Sequence, residues 1–168
     1  ALKEKQVELH CLDISPTALN RVKSIATVWS SLEIEKLPSK TFDLAISHYV
    51  TEHLSDEDLQ KQLVNVIRSL KHEGIFALQF AFNMDGSNKK SQYTLQDFTH
   101  GGACRDLEYM AELINEAEGK IVWTSKPIFF PKYFSGSYAI HIKRKDSKKS
   151  YSTFQNWSYN TKLTVSSR

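Results

Sequence analysis

The sequence predicts an α/β domain on a mainly parallel β-sheet, and three observations predict it. Strand-like and helix-like segments alternate from near the first residue to about residue 145. Segment 42–47 is continuously apolar at Leu44, Ala45 and Ile46, as expected of a strand covered on both faces. The segments between strands carry apolar residues at helical spacing behind recognisable N-caps. A length of 168 residues, 40% of them hydrophobic and 24% charged, suits one globular domain with a real core.

The elements follow in order. Residues 7–12 form a short strand closed by Asp13, and Ser15-Pro16 supplies an N-cap with proline at the first helical position. Leu19, Val22, Ile25 and Ala26 give that helix one apolar face, and 27–29 read as a brief second strand. After the buried strand 42–47, Ser55 and Asp58 make a capping-box start. Asp56 and Glu57 suit the positive helix N-terminus, while Arg68, Lys71 and His72 suit its C-terminus. Leu59, Leu63, Val66, Ile67 and Leu70 form the buried stripe, and Gly74 is the expected stop, with strand 75–82 directly after it.

The polar stretch 83–104 contains Gly86 and Gly101-Gly102 and has the length of a binding loop or lid, with His100 as a lid candidate. Leu107, Met110, Leu113, Ile114 and Ala117 mark a helix that ends at Gly119, and 121–124 enter a strand. A last strand, 138–142, pairs antiparallel with 127–131 across Ser135-Gly136-Ser137.

Composition excludes several classes. No apolar run approaches the ~20 residues of a membrane span and no leader opens the chain, so a cytoplasmic protein is expected. Cys11 and Cys104 form neither a disulfide framework nor a CxxC metal motif. The net charge of +3 divides unevenly: residues 143–168 hold 7 basic and 1 acidic residue, leaving 15 basic and 18 acidic in 1–142. An acidic body argues against a nucleic-acid substrate. Lys143, Arg144, Lys145, Lys148 and Lys149 read as a solvated strand end and linker.

The pieces LDIS (12–15), LEIEKLPSKTFDLAISHYVTEHL (32–54), VNVIRSLKHEGIFALQF (64–80) and LEYMAELINEAEGKIV (107–122) follow in a telling order. Together they resemble class I S-adenosylmethionine (SAM)-dependent methyltransferases from their second strand onward, over residues 7 to about 145. The resemblance implies a Rossmann-like three-layer sandwich, mostly parallel, with a C-terminal antiparallel hairpin. It divides the chain into a partial methyltransferase-like domain, 1–145, and a basic, polar tail, 146–168. The implied cofactor is SAM, and the implied partner a small-molecule methyl acceptor.

Asp13 falls where the family places an acid that accepts hydrogen bonds from both ribose hydroxyls of the cofactor; by itself it reads equally well as an Asx-type turn ahead of Ser15. Ile14 would flank the adenine or simply pack in the core. Glu33 would accept the adenine amino group and Ile34 present a backbone N–H to the ring, although the family usually has Gly-Asp where this chain has Leu32-Glu33. Ser47 and His48 end strand 42–47 at the rim where ligands bind in open α/β sheets. His48 or His53 is the candidate general base for deprotonating an acceptor, and His53 alternatively hydrogen-bonds a loop. Some relatives hold a metal with E-x-x-E-H here; Tyr49 replaces the first Glu, so no metal is expected. Phe129, Phe130, Tyr133 and Phe134 would line an acceptor pocket or form hairpin core.

The chain departs from the family at its start. The glycine-rich turn after the family's first strand has no counterpart, there is no GxG, and residue 1 is Ala. One strand-plus-helix unit of roughly 40 residues is expected to be missing, leaving a sheet edge open to self-association or another chain. The alternative function is therefore a non-catalytic methyltransferase-like binding domain. A nicotinamide oxidoreductase is disfavoured, because neither a glycine fingerprint nor a Tyr-x-x-x-Lys pair is present.

Overall fold

A computed structural model describes residues 7–83, 102–130 and 135–147. The short strand β1 (His10–Asp13) leads into α1 (Pro16–Val22), whose first turn is closed by the Ala18 N–H donating to Ser15 Oγ at 3.3 Å. β2 (Thr27–Ser30) pairs parallel with β1, Leu12 opposite Trp29. A 3-10 segment, Ser31–Lys36, then leads to β3 (Phe42–Ser47), which pairs parallel with β4 (Leu70–Asn83). Between them lies α2 (Asp56–Ser69), followed later by α3 (Leu107–Glu116), β5 (Gly119–Thr124), β6 (Ile128–Phe130) and β7 (Ser135–Arg144).

β7 runs antiparallel to β4, β5 and β6, so the larger sheet is mixed, with β3–β4 its parallel ladder, rather than mainly parallel as predicted; β1–β2 is also parallel. The 127–131 region does pair antiparallel with the last strand, as β6–β7, but through Ser135, Gly136 and Ser137, which belong to β7 and not to the connection. β1–β2 form one sheet and the order β3-β4-β7-β5 forms another.

Alternation decides what each face buries. Phe76, Leu78 and Phe80 of β4 and Ile140 and Ile142 of β7 meet Leu59, Leu63 and Ile67 of α2 and Met110 and Ile114 of α3 in one core. Leu12, Trp29, Phe42 and Ala45 pack against that same core, so both sheets contribute to it. Contrary to the two-sided burial that the apolar run of 42–47 predicts, the opposite face of β3 is not covered among the described residues, and Leu44 and Ile46 are 56% and 70% exposed.

Three details differ from the sequence reading. α2 ends at Ser69 rather than near Gly74, because Leu70 already opens β4 opposite Phe42. Gly74 is needed instead for close approach, since a Cβ there would lie 2.6 Å from the Phe42 carbonyl oxygen. α1 stops at Val22 and buries no residue fully, and Ile25 is exposed. Lys143 is not solvated: it is fully buried, with Nζ 2.6 Å from Glu73 Oε2, while Arg144 pairs with Asp146 and Lys145 Nζ donates to the Asn115 carbonyl.

Candidate functional site

Two of the residues singled out in the sequence, Asp13 and Ser47, lie at strand ends, with Ile14 and His48 next to them. Asp13 closes β1, Ser47 closes β3, and carboxyl ends of strands are where open α/β sheets bind ligands. Asp13 is half-buried, and its Oδ1 accepts the Ser15 N–H at 2.7 Å. That is the Asx turn the sequence allowed. It also orients the carboxylate, whose second oxygen takes no hydrogen bond among the described residues. Ile14 is 70% exposed beside it, so it is not core.

Glu33 and Ile34 sit in the 3-10 segment after β2 and diverge. Glu33 is exposed and paired with Lys36, raising the Lys36 pKa mainly through their hydrogen bond. Ile34 is buried in the core, which leaves only its backbone for any ligand. Arg68 Nη2 donates to the Glu35 carbonyl at 2.7 Å and to the Leu37 carbonyl at 3.2 Å, fastening this segment to α2.

Ser47 is 94% buried by side-chain packing, being 6% exposed, and its Oγ has no hydrogen-bond partner among the described residues. A buried hydroxyl without a partner is costly and marks a place where a polar group is wanted. His48 follows, exposed, with its ring edge-on to Tyr49 at 4.3 Å. Tyr49 adopts φ 55°, a left-handed conformation that turns the chain sharply away from the strand. The turn is held from below: the Tyr49 N–H donates to Gln79 Oε1 at 2.8 Å, and the Thr51 hydroxyl donates to the Gln79 carbonyl at 3.0 Å. His53 is exposed at the end of the next 3-10 turn, Thr51–His53, where its own N–H bonds the Val50 carbonyl.

A second clamp comes from residues that the sequence did not signal. Gly102, at φ 91°, lies so close to the Glu52 carbonyl that a Cβ would collide with it, and the Ala103 N–H donates to that carbonyl at 2.7 Å. Arg105, 1% exposed, donates Nε to Asp56 Oδ1 at 2.9 Å, Nη1 to the Thr51 carbonyl at 2.9 Å and Nη2 to the Leu54 carbonyl at 2.8 Å. Tyr109 Oη completes the cluster on Asp56 Oδ2 at 2.9 Å. Turn 48–54 is therefore a rigid platform that presents His48 and His53 to solvent. No group of three or more His, Cys, Asp or Glu converges as metal ligands among the described residues. Of the pocket aromatics, Phe129 is half-exposed and edge-on to Phe82 at 5.9 Å. His100, Tyr133 and Phe134, like tail residues 148–168, lie outside the described residues, as does the side chain of Phe130.

Comparison with known proteins agrees with this architecture. A family described as a methyltransferase domain matches residues 1–76. No curated protein matches the chain. Among solved structures, a SAM-dependent methyltransferase from Leishmania major is similar at TM-score 0.61 and 16% identity, over 80% of this chain and 54% of that one. A SAM-dependent methyltransferase from Methanosarcina mazei is similar at TM-score 0.59 and 10% identity, over 82% of each chain. LepI, solved in complex with SAM, is similar at TM-score 0.58 and 11% identity, over 84% of this chain. This chain spans 37% of LepI and 54% of the Leishmania protein, so it corresponds to part of each. A methyltransferase-domain match over residues 1–76 and the shared α/β architecture thus make the chain similar in fold to SAM-dependent methyltransferases.

Proposed function

We propose that this domain binds SAM and takes part in methyl transfer to a small-molecule acceptor. The observation that carries the reading is the pair of polar groups left for a ligand at two strand ends: the Asp13 carboxylate oxygen not used by Ser15, and the buried Ser47 hydroxyl, without a partner among the described residues. These fit the polar parts of the cofactor, a vicinal diol for the carboxylate and the methionine portion for Ser47 and the His48 backbone. Ile14 would lie along the adenine, and Glu33 would reach its amino group once released from Lys36. The Ile34 N–H would meet the ring.

When bound, the cofactor supplies a methyl group on a sulfonium. The chain's part is to position and desolvate the acceptor, with His48 or His53 accepting its proton. A cytoplasmic setting belongs to the same reading. It is supported by Cys11 and Cys104 not forming a disulfide, and no helix among the described residues is long and apolar enough to cross a membrane.

The test is calorimetric titration of SAM into the folded 168-residue chain. Saturable heat supports the reading, and no heat from a protein with a cooperative melt overturns it. A second reading, a non-catalytic binding domain, is favoured by a separate observation: among the described residues, β1 pairs with β2 alone and β3 with β4 alone.

A further inference from the structure

β4 is held on both sides, by β3 and by β7, and the residues flanking Gln79 on it, Leu78 and Phe80, are core side chains. Gln79 is thus a fixed reference for the turn that follows β3. It holds that turn twice: Oε1 accepts the Tyr49 N–H at 2.8 Å, and its main-chain carbonyl accepts the hydroxyl of the fully buried Thr51 at 3.0 Å. The first bond also decides which way the side-chain amide faces, oxygen toward the peptide, and Nε2 takes no hydrogen bond among the described residues.

The His48–Tyr49 peptide is trans, so its C=O points opposite to its N–H. With the N–H drawn to Gln79, the His48 carbonyl faces away from Gln79, and no described residue donates a hydrogen bond to it. Tyr49 meanwhile sits at φ 55°, which a residue with a side chain keeps only where its surroundings impose it. Rotating this one peptide by about 180° would return Tyr49 to a relaxed negative φ and swing the carbonyl round to the Gln79 side. The Gln79 acceptor is what opposes that rotation. We propose that Gln79 is a positioning residue for ligand binding: it keeps the 48–49 peptide unflipped and so aims the His48 carbonyl at the ammonium group in the amino-acid portion of the cofactor. A carbonyl without a protein donor suits a cationic N–H, since a charged donor makes the stronger hydrogen bond. The inference rests on the SAM reading above and adds to it a residue that touches no ligand. It also divides the site, because Asp13, Ile14 and Glu33 serve the adenosine portion in that reading, whereas Gln79 governs the amino-acid portion alone.

The experiment titrates two thioethers calorimetrically into the folded 168-residue chain and its Gln79 variants. S-adenosylhomocysteine carries the amino-acid portion; 5′-methylthioadenosine keeps the adenosine and sulfur and ends in a methyl group. Gln79→Leu is expected to raise the Kd of S-adenosylhomocysteine about tenfold and to leave that of methylthioadenosine within about twofold. Gln79→Glu, which retains the acceptor oxygen, should bring S-adenosylhomocysteine back to within about threefold of the unsubstituted chain. A merely structural role moves both ligands together. In the unsubstituted chain, S-adenosylhomocysteine should shift the His48 carbonyl 13C resonance and methylthioadenosine should not, which tests the aim without any variant. Equal losses for the two ligands, unchanged affinity in Gln79→Leu, or a His48 carbonyl that S-adenosylhomocysteine leaves unmoved overturns the proposal and leaves the SAM reading standing. A loss in Gln79→Glu as large as in Gln79→Leu also overturns it, by assigning the effect to the amide's own NH2 group. Binding of neither ligand by the folded, unsubstituted chain overturns both.

Discussion

The side chain of Gln79 on β4 reaches under the end of β3 and accepts the backbone N–H of Tyr49 at 2.8 Å, at the residue where the chain turns left-handed. Gln79 is 8% exposed and Tyr49 54%, so this bond sits at the edge of the buried region. Gln79→Leu keeps the bulk and removes the acceptor, which should cost about 1–3 kcal/mol for the stranded N–H. Urea unfolding measures the loss. Faster exchange of the Tyr49 amide should accompany it, while Gln79→Glu, which keeps an acceptor oxygen, should preserve that protection.

Arg105 should be the least replaceable side chain near turn 48–54. Its guanidinium joins Asp56 to two carbonyls of the turn, and a single ammonium cannot span three acceptors in that fork. Arg105→Met should destabilise by about 2–4 kcal/mol, because Asp56 and both carbonyls lose their donor. Arg105→Lys should recover less than half. Tyr109→Phe removes one bond to Asp56 and should cost only about 0.5–1.5 kcal/mol, so ranking the three by chemical denaturation checks the assignment.

These two anchors show what a linear sequence conceals. Strand 42–47, the Ser55 cap with Asp58, and the stripe Leu59, Leu63, Ile67 were legible because local spacing and capping chemistry determine them; the Asp58 N–H does donate to Ser55 Oγ at 3.0 Å. Arg105 was not, since its partners lie about fifty positions away and its neighbours Gly102 and Ala103 read only as loop. Lys143 misled for a related reason: a basic run suggests solvent, yet pairing of β7 between β4 and β5 carries Lys143 inward to Glu73. Gly74 reads as a helix stop because glycine often is one, whereas the backbone of β3 in fact passes too close for a Cβ. Asp13 and Ser47 do close strands where the apolar segments of the sequence end. That Ile34 turns its side chain into the core was not legible, because a 3-10 segment has no long periodic signal.

Acid should weaken the fold through His141. Its ring lies against Trp123 at 4.6 Å, and burial holds its pKa below the usual histidine value. The native state therefore resists protonation that the unfolded chain accepts. The sign follows: stability is independent of this group above the unfolded pKa of about 6.5 and falls as pH drops below it, until the lower folded value is passed. Thermal melts from pH 7.5 to 5.0 should show the decline, and His141→Phe should flatten that part of the profile.

Gly102 should resist substitution more than its exposed-loop sequence context suggests. Its φ of 91° disfavours any L side chain, and a Cβ would strike the Glu52 carbonyl that the Ala103 N–H also uses. Gly102→Ala should cost about 1–3 kcal/mol. It should also release the Ala103 amide to exchange, which NMR reads directly.

Asp13 carries two separable jobs, and a pair of variants distinguishes them. Its Oδ1 accepts the Ser15 N–H and so shapes the entry to α1, a task an amide oxygen performs equally well. Its negative charge and second oxygen are what a ribose diol would use, and an asparagine cannot accept through its NH2 group. Asp13→Asn should thus leave the urea midpoint nearly unchanged while weakening SAM binding by about 1.5–3 kcal/mol, roughly 10- to 150-fold in Kd. Asp13→Ala should weaken binding at least as much and lower stability by a further ~0.5–1.5 kcal/mol, since the Ser15 N–H then loses its acceptor. Calorimetry on both variants reads the first effect and urea titration the second. Unchanged affinity in Asp13→Asn would confine Asp13 to the turn.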